Sequence, residues 1–160
     1  MSRTLPSTES ALVRCGLFST ELESLSVSDS LEFHDSTLSS IAVEGVVVRL
    51  GIDAYVHRWA AVGVTFKGTG WIVPVRVVLA DASADFSIDL PVDLDGGEIR
   101  AGAGQHSNLV PLPFRSTESG SLRLDLANGA ILTFDYSSIS VEPAGEGRYV
   151  EALSDDFRPN

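Results

Sequence analysis

Val46-Val47-Val48-Arg49-Leu50-Gly51-Ile52-Asp53-Ala54-Tyr55-Val56-His57 is the stretch on which the fold turns. Val46, Val48, Leu50, Ile52, Ala54 and Val56 fall on one side of an extended backbone. Val47, Arg49, Gly51, Asp53, Tyr55 and His57 fall on the other. Successive side chains of a strand point to opposite faces, so a period of two predicts an antiparallel strand with one face on a core and the other toward water.

The pattern extends in both directions. Upstream, residues 37–43 are the expected partner, joined through Glu44-Gly45. Downstream, residues 61–66 read as a strand, Lys67-Gly68-Thr69-Gly70 as a turn, and residues 71–82 as a strand with Val73, Val75, Val77 and Leu79 on one face. Pro74 has no N–H to donate, so it predicts an edge or a bulge. Phe86, Ile88, Leu90, Val92 and Leu94 then alternate with Ser87, Asp89, Pro91, Asp93 and Asp95, which predicts another strand with Pro91 at an edge. Residues 95–115 read as a long loop with a short strand near Ile99. Residues 121–126, 130–136 and 139–141 read as strands, and from Pro143 the chain reads as a turn and a weakly held tail.

Asn128-Gly129 sets a register. A two-residue loop would place Leu124 opposite Thr133, leaving leucines against polar residues. A three-residue loop with Gly129 left-handed in a bulge instead pairs Leu126 with Ala130, Leu124 with Leu132, Leu122 with Phe134 and Gly120 with Tyr136. Register follows the buried face, which predicts the second arrangement.

The expected class is therefore mainly β, an antiparallel meander forming a β-sandwich or an open barrel. Residues 1–28 differ. Leu12, Val13, Leu17, Phe18, Leu22 and Leu25 recur at helical spacing and Thr20 with Glu23 resembles a capping box, so one or two short helices are expected there. The expected organisation is 1–28 helical or partly ordered, 29–143 the β domain, and 144–160 a tail.

With 160 residues and 44% apolar side chains, the chain can bury a substantial core. Its net charge of −11 argues against nucleic acid and anionic lipid, and favours a basic partner if there is one. Cys15 is the one cysteine, which rules out an intrachain disulfide and a cysteine-based zinc site. Neither a secretory leader nor a run of about 20 apolar residues is visible, so the cytoplasm is the expected location. No cofactor is implied.

Phe33-His34-Asp35-Ser36 holds a His-Asp pair, but such a dipeptide alone has little specificity. A turn before a strand is expected, with Asp35 or Ser36 bonding a nearby backbone amide. Residues 31–38 with Ile41, residues 46–50, residues 71–82, and the closing hairpin around Asn128-Gly129 resemble a loose group of small bacterial β proteins that open with this Phe-His-Asp-Ser stretch. Some members of that group are labelled immunity proteins of toxin systems. The resemblance implies a toxin-neutralising role and supplies no catalytic motif.

Asp85, Asp89, Asp93 and Asp95 would share the outer face of the strand predicted over 86–94, with no Lys or Arg nearby. Neighbours on that face repel by only roughly 0.6 kcal/mol in water, so an acidic face is tolerable and offers a docking surface for a basic protein. Tyr55, His57 and Trp59 alternate on one side of a strand and, with Trp71, form a candidate ligand pocket. The leading expectation is a non-enzymatic interaction module acting through the acidic face. One rival is a small-molecule-binding β barrel built around the aromatic pocket. Another is a metal-dependent hydrolase, which would need His34, Asp35, His57 and His106 to converge.

Overall fold

The computed structural model describes residues 27–155. The helices expected in the N-terminal segment, with Cys15 and the Thr20/Glu23 pair, lie outside the described residues. Within them the protein is mainly β and antiparallel, with essentially no helix, and the sheet does not close.

Three long strands, β1 (Val27–Glu44), β2 (Val47–Val62) and β3 (Thr65–Ala80), run as a meander. β4 (Val92–Ala101) and β5 (Gly104–Ser107) form a hairpin, followed by β6 (Leu109–Leu112) and the short β7 (Phe114–Ser116). β8 (Gly120–Leu126) and β9 (Ile131–Tyr136) form the next hairpin, and β10 (Ser138–Pro143) and β11 (Arg148–Leu153) complete the sequence. The strand order is β7-β10-β3-β2-β1-β4-β8-β9, with β11 on β3, β5 on β4 and β6 on β1. The β1–β2–β3 group joins the β4–β8–β9 group through Thr37 opposite Asp93 and Leu38 opposite Val92. Side chains from both groups fill one core, among them Leu31, Phe33, Leu50, Val77, Ile99, Leu122 and Phe134.

From Val48 the inner face of the central alternation behaves as its pattern requires, but Val46 lies exposed in the turn before β2, and Tyr55 and His57, expected on the water-facing side, are buried. Val48, Leu50, Ile52, Ala54 and Val56 are buried, and each lies opposite a residue of the buried row on β3 or its continuation at Trp71. The β8–β9 register is the one the leucines predicted, with Leu122 opposite Phe134 and Leu124 opposite Leu132. Gly129 is left-handed at φ 87°, its N–H donates to the Leu126 carbonyl, and the Leu126 N–H donates to the Ala130 carbonyl.

Pro74 also lies where its chemistry predicts. Pro143 pairs opposite Val75 and Arg148 opposite Ile72, so Pro74 sits where β10 has ended and β11 has yet to begin. Its carbonyl accepts from the Ala144 N–H at 2.7 Å. Carbonyl and N–H of one strand residue point the same way, so the missing donor falls in this gap rather than in the ladder with β2.

Four expectations need correction. Residues 61–66 are not one strand, and Lys67-Gly68-Thr69-Gly70 is not the turn after it. The β2–β3 turn is Gly63-Val64, with Gly63 at φ 63°, and it repeats the Gly45-Val46 turn of β1–β2, with Gly45 at φ 61°. A glycine at the first position of a two-residue loop supplies the positive φ that such hairpins need. Gly68 and Gly70 serve aromatic rings instead. A Cβ on Gly68 would lie 2.7 Å from the Trp59 ring, and one on Gly70 would collide with the Tyr55 hydroxyl.

Residues 86–91 are not a strand either, because β4 starts only at Val92, after Pro91. Phe86 leaves the row and meets Phe134 edge-on, with centroids 5.4 Å apart. The expected loop over 95–115 instead holds most of β4 together with β5, β6 and much of β7, turned by Gly102-Ala103. The C-terminal tail contributes β11, which pairs with β3.

Candidate functional site

Phe33-His34-Asp35-Ser36 is a bulge inside β1 rather than a turn ahead of a strand. Glu32 stands opposite Tyr55 and Thr37 opposite Asp53, so β1 carries extra residues between two ladder points. Asp35 takes φ 70°, a left-handed conformation that Asp adopts more readily than most residues. Ser36 repairs the break, as its residue type allowed. Its hydroxyl donates to the Glu32 carbonyl at 2.5 Å and accepts from the Tyr55 N–H at 2.8 Å. The bulge keeps Leu31, Phe33 and Leu38 on the core side and holds Glu32 beside Tyr55 and His57 on the other face.

On that outer face, His57 Nε2 and Glu32 Oε2 are hydrogen-bonded at 2.5 Å. Asn108 Nδ2 donates to the other Glu32 oxygen at 3.2 Å. The Tyr55 hydroxyl donates to Glu151 Oε1 at 2.7 Å, which ties β2 to β11. The Tyr55 and His57 rings meet edge-on at 5.4 Å. Glu32, Asp35, Tyr55, His57 and Glu151, with residues 152–154, surround a pocket of about 500 Å³. That volume falls in the range of small-ligand sites, roughly 300–1,000 Å³.

Burial, then the hydrogen bond to Glu151, then the charges of Glu151, Glu32 and Asp35 push the Tyr55 hydroxyl well above the ordinary phenol range. Burial also raises Tyr136. A phenol whose folded pKa exceeds its unfolded value of about 10 keeps its proton longer when folded. Stability from both tyrosines is therefore complete below about pH 10 and falls as pH rises from there toward the folded values. Urea denaturation between pH 8 and 11 should show this decline, and Tyr55→Phe with Tyr136→Phe should flatten it. An equally steep decline in the double variant would refute the assignment.

Of the residues expected in an aromatic pocket, Tyr55 and His57 line it. Trp59 shares their side of β2 but is packed over Gly68, and its Nε1 has no hydrogen-bond partner among the described residues. Trp71 lies opposite Val56 on the core-side face, so it is removed from the pocket set. It bonds Thr69 Oγ1 through Nε1, and the Arg58 guanidinium lies 5.0 Å from its ring centroid. Glu32 and Glu151 were missed, because they enter from β1 and β11. An acidic residue beside a bulge motif was the one available signal for Glu32.

The expected acidic face is redistributed. Asp93 and Asp95 lie exposed on β4, whereas Asp85 and Asp89 lie exposed in the loop before it. Asp93 accepts from Thr37 Oγ1 at 2.7 Å. The hydrolase set does not assemble. His34 sits against Asp35 at 3.1 Å on the exposed bulge, His106 stacks edge-on with Phe114, and His57 is held by Glu32. Among the described residues, no group of three or more His, Cys, Asp or Glu is placed to hold a metal ion. No helix among them is long and apolar enough to cross a membrane. Comparison with family models, with curated proteins and with solved structures finds no match to this chain.

Proposed function

We propose that the protein is a non-enzymatic binding module that receives a cationic side chain, an arginine or lysine of a basic protein partner, in the pocket between β1, β2 and β11. The observation that carries this reading is the convergence of Glu32, Asp35 and Glu151 on one hollow beside Tyr55 and His57, in a chain of net charge −11. A carboxylate accepts charge-assisted hydrogen bonds from guanidinium or ammonium donors, and the Tyr55 ring supplies an aromatic wall. Asp85, Asp89, Asp93 and Asp95 extend the negative field and raise the encounter rate. A toxin-neutralising role, as the sequence resemblance implies, is one use of such a module. The unclosed sheet, whether sandwich or open barrel, has side chains in its interior, so a ligand is received at the surface pocket.

The test is calorimetric titration of the full chain with a tri-arginine peptide, with tri-aspartate as control. Glu32→Gln combined with Glu151→Gln should weaken tri-arginine binding by roughly ten- to a hundredfold, the worth of a hydrogen bond to a charged group. Asp89→Lys, Asp93→Lys and Asp95→Lys together should slow association and leave folding intact. Equal affinity in the pocket variant, or no binding by the unaltered protein, would refute the reading. The pocket volume favours a second occupant, a small free cation, and titration with arginine amide separates the two.

A further inference from the structure

We propose that β11 is a strap that opens and closes the pocket, held shut by the Tyr55–Glu151 hydrogen bond. The inference rests on the pocket being a binding site and adds a control over access to it. β11 supplies Glu151, Ala152 and Leu153 to one wall, while β1 and β2 supply Glu32, Asp35, Tyr55 and His57 to the other. The two walls differ in how they are held. Leu31 and Val56, the chain neighbours of Glu32 and of Tyr55 and His57, are fully buried, so that wall moves only with the core. Along β11, every residue from Arg148 to Ala152 is exposed and only Leu153 is half-buried. A strand with little buried apolar surface belongs to the low-stability end of a protein's local openings.

The attachment of β11 is also interrupted. Its ladder with β3 shifts register between Tyr149 and Glu151, and it is separated from β10 by the gap at Pro74, where no N–H is available. The connecting segment Ala144-Gly145-Glu146-Gly147 is pinned at its start by the Ala144 N–H to the Pro74 carbonyl, which marks where a movement of β11 would stop. Beyond the backbone ladder, Tyr149 meets Trp71 edge-on at 5.6 Å, and Tyr55 donates to Glu151. The second contact joins the movable wall to the fixed one. A cation between Glu32 and Glu151 would draw both walls together, so an occupied pocket favours the closed strap.

Amide hydrogen exchange on the full chain, without ligand, tests the strap. Amides of 149–153 should exchange well before those of 48–56 in β2. Tyr55→Phe should speed the β11 amides by about tenfold while the β2 amides stay unchanged, because one hydrogen bond to a charged group is lost. Glu151→Ala, an exposed change that leaves the core intact, should do the same, and Glu151→Gln, which keeps an acceptor, should stay closer to the unaltered protein. The proposal is overturned if β11 exchanges with the core, or if both Tyr55→Phe and Glu151→Ala leave its rate unchanged. Since no ligand is present, failure of the strap is distinguishable from failure of the arginine titration. With tri-arginine bound, the β11 amides should slow, and unchanged exchange at saturation would contradict the coupling.

Discussion

Phe33→Ala is expected to lower the free energy of unfolding by about 3–5 kcal/mol, the range for emptying a buried aromatic site. Phe33 is 1% exposed and is among the largest fully buried side chains. Its ring rests on Gly97 of β4, where a Cβ would lie 2.6 Å from the ring, so it spans the joint between the two strand groups. Its N–H donates to the Asn108 carbonyl at 2.8 Å, which fixes the backbone from which the ring projects. Alanine would leave a cavity at a place where collapse would require the two groups to approach. Against a total stability of roughly 5–15 kcal/mol, that loss is severe. Urea denaturation followed by circular dichroism measures it, and a cost below about 1 kcal/mol would show that the ring does not bridge the groups. Phe86→Ala, in which the lost ring is 38% exposed, is the comparison and should cost far less.

Gly120→Ala is expected to cost about 3 kcal/mol or more, for the opposite reason: atoms are added where none fit. A Cβ at Gly120 would collide with the Arg100 carbonyl across the β4–β8 ladder and lie 2.8 Å from the Tyr136 hydroxyl. That hydroxyl donates to the same Arg100 carbonyl at 2.6 Å. The glycine leaves the space through which a tyrosine of β9 reaches past β8 to β4. Alanine must either push the strands apart or strand a buried hydroxyl. Tyr136→Phe removes only the hydrogen bond and should cost about 1 kcal/mol. A Gly120→Ala variant no less stable than Tyr136→Phe would show that the strands give way easily at this point.

The parts of the fold that were legible in the sequence are those where one rule acts alone. The inner faces of residues 48–56 and 73–79 followed from uninterrupted alternation, and the β8–β9 register followed from keeping Leu122, Leu124, Phe134 and Tyr136 on one face. The failures come where two meanings compete for one residue type. Glycine marks turns, but a Cβ at Gly68 or Gly70 would run into the Trp59 or Tyr55 ring that the neighbouring β2 lays over it. The row from Phe86 to Leu94 alternates correctly, yet only its last part pairs, because loop contacts such as Phe86 edge-on to Phe134 and Ile88 against the core use the same apolar spacing without a ladder. Gly102-Ala103, a Gly-first turn like the other two, was the signal overlooked in the supposed loop. The pocket was half visible. Tyr55 and His57 follow from strand alternation, whereas Glu151 depends on the tail returning to β3, which no local pattern announces.

Leu31 and Glu32 are neighbours in β1, as are Val56 and His57 in β2, and in each pair one side chain is in the core and the other in the pocket. A slip by a single residue would trade them, drowning carboxylates in oil and stranding leucine in water. The register that seals the interior therefore also places Glu32, Tyr55 and His57 on the pocket side. A change that shifted either strand would thus undo the interior and this wall of the hollow at the same moment, whereas Glu151, carried on the exposed β11, lies outside that coupling.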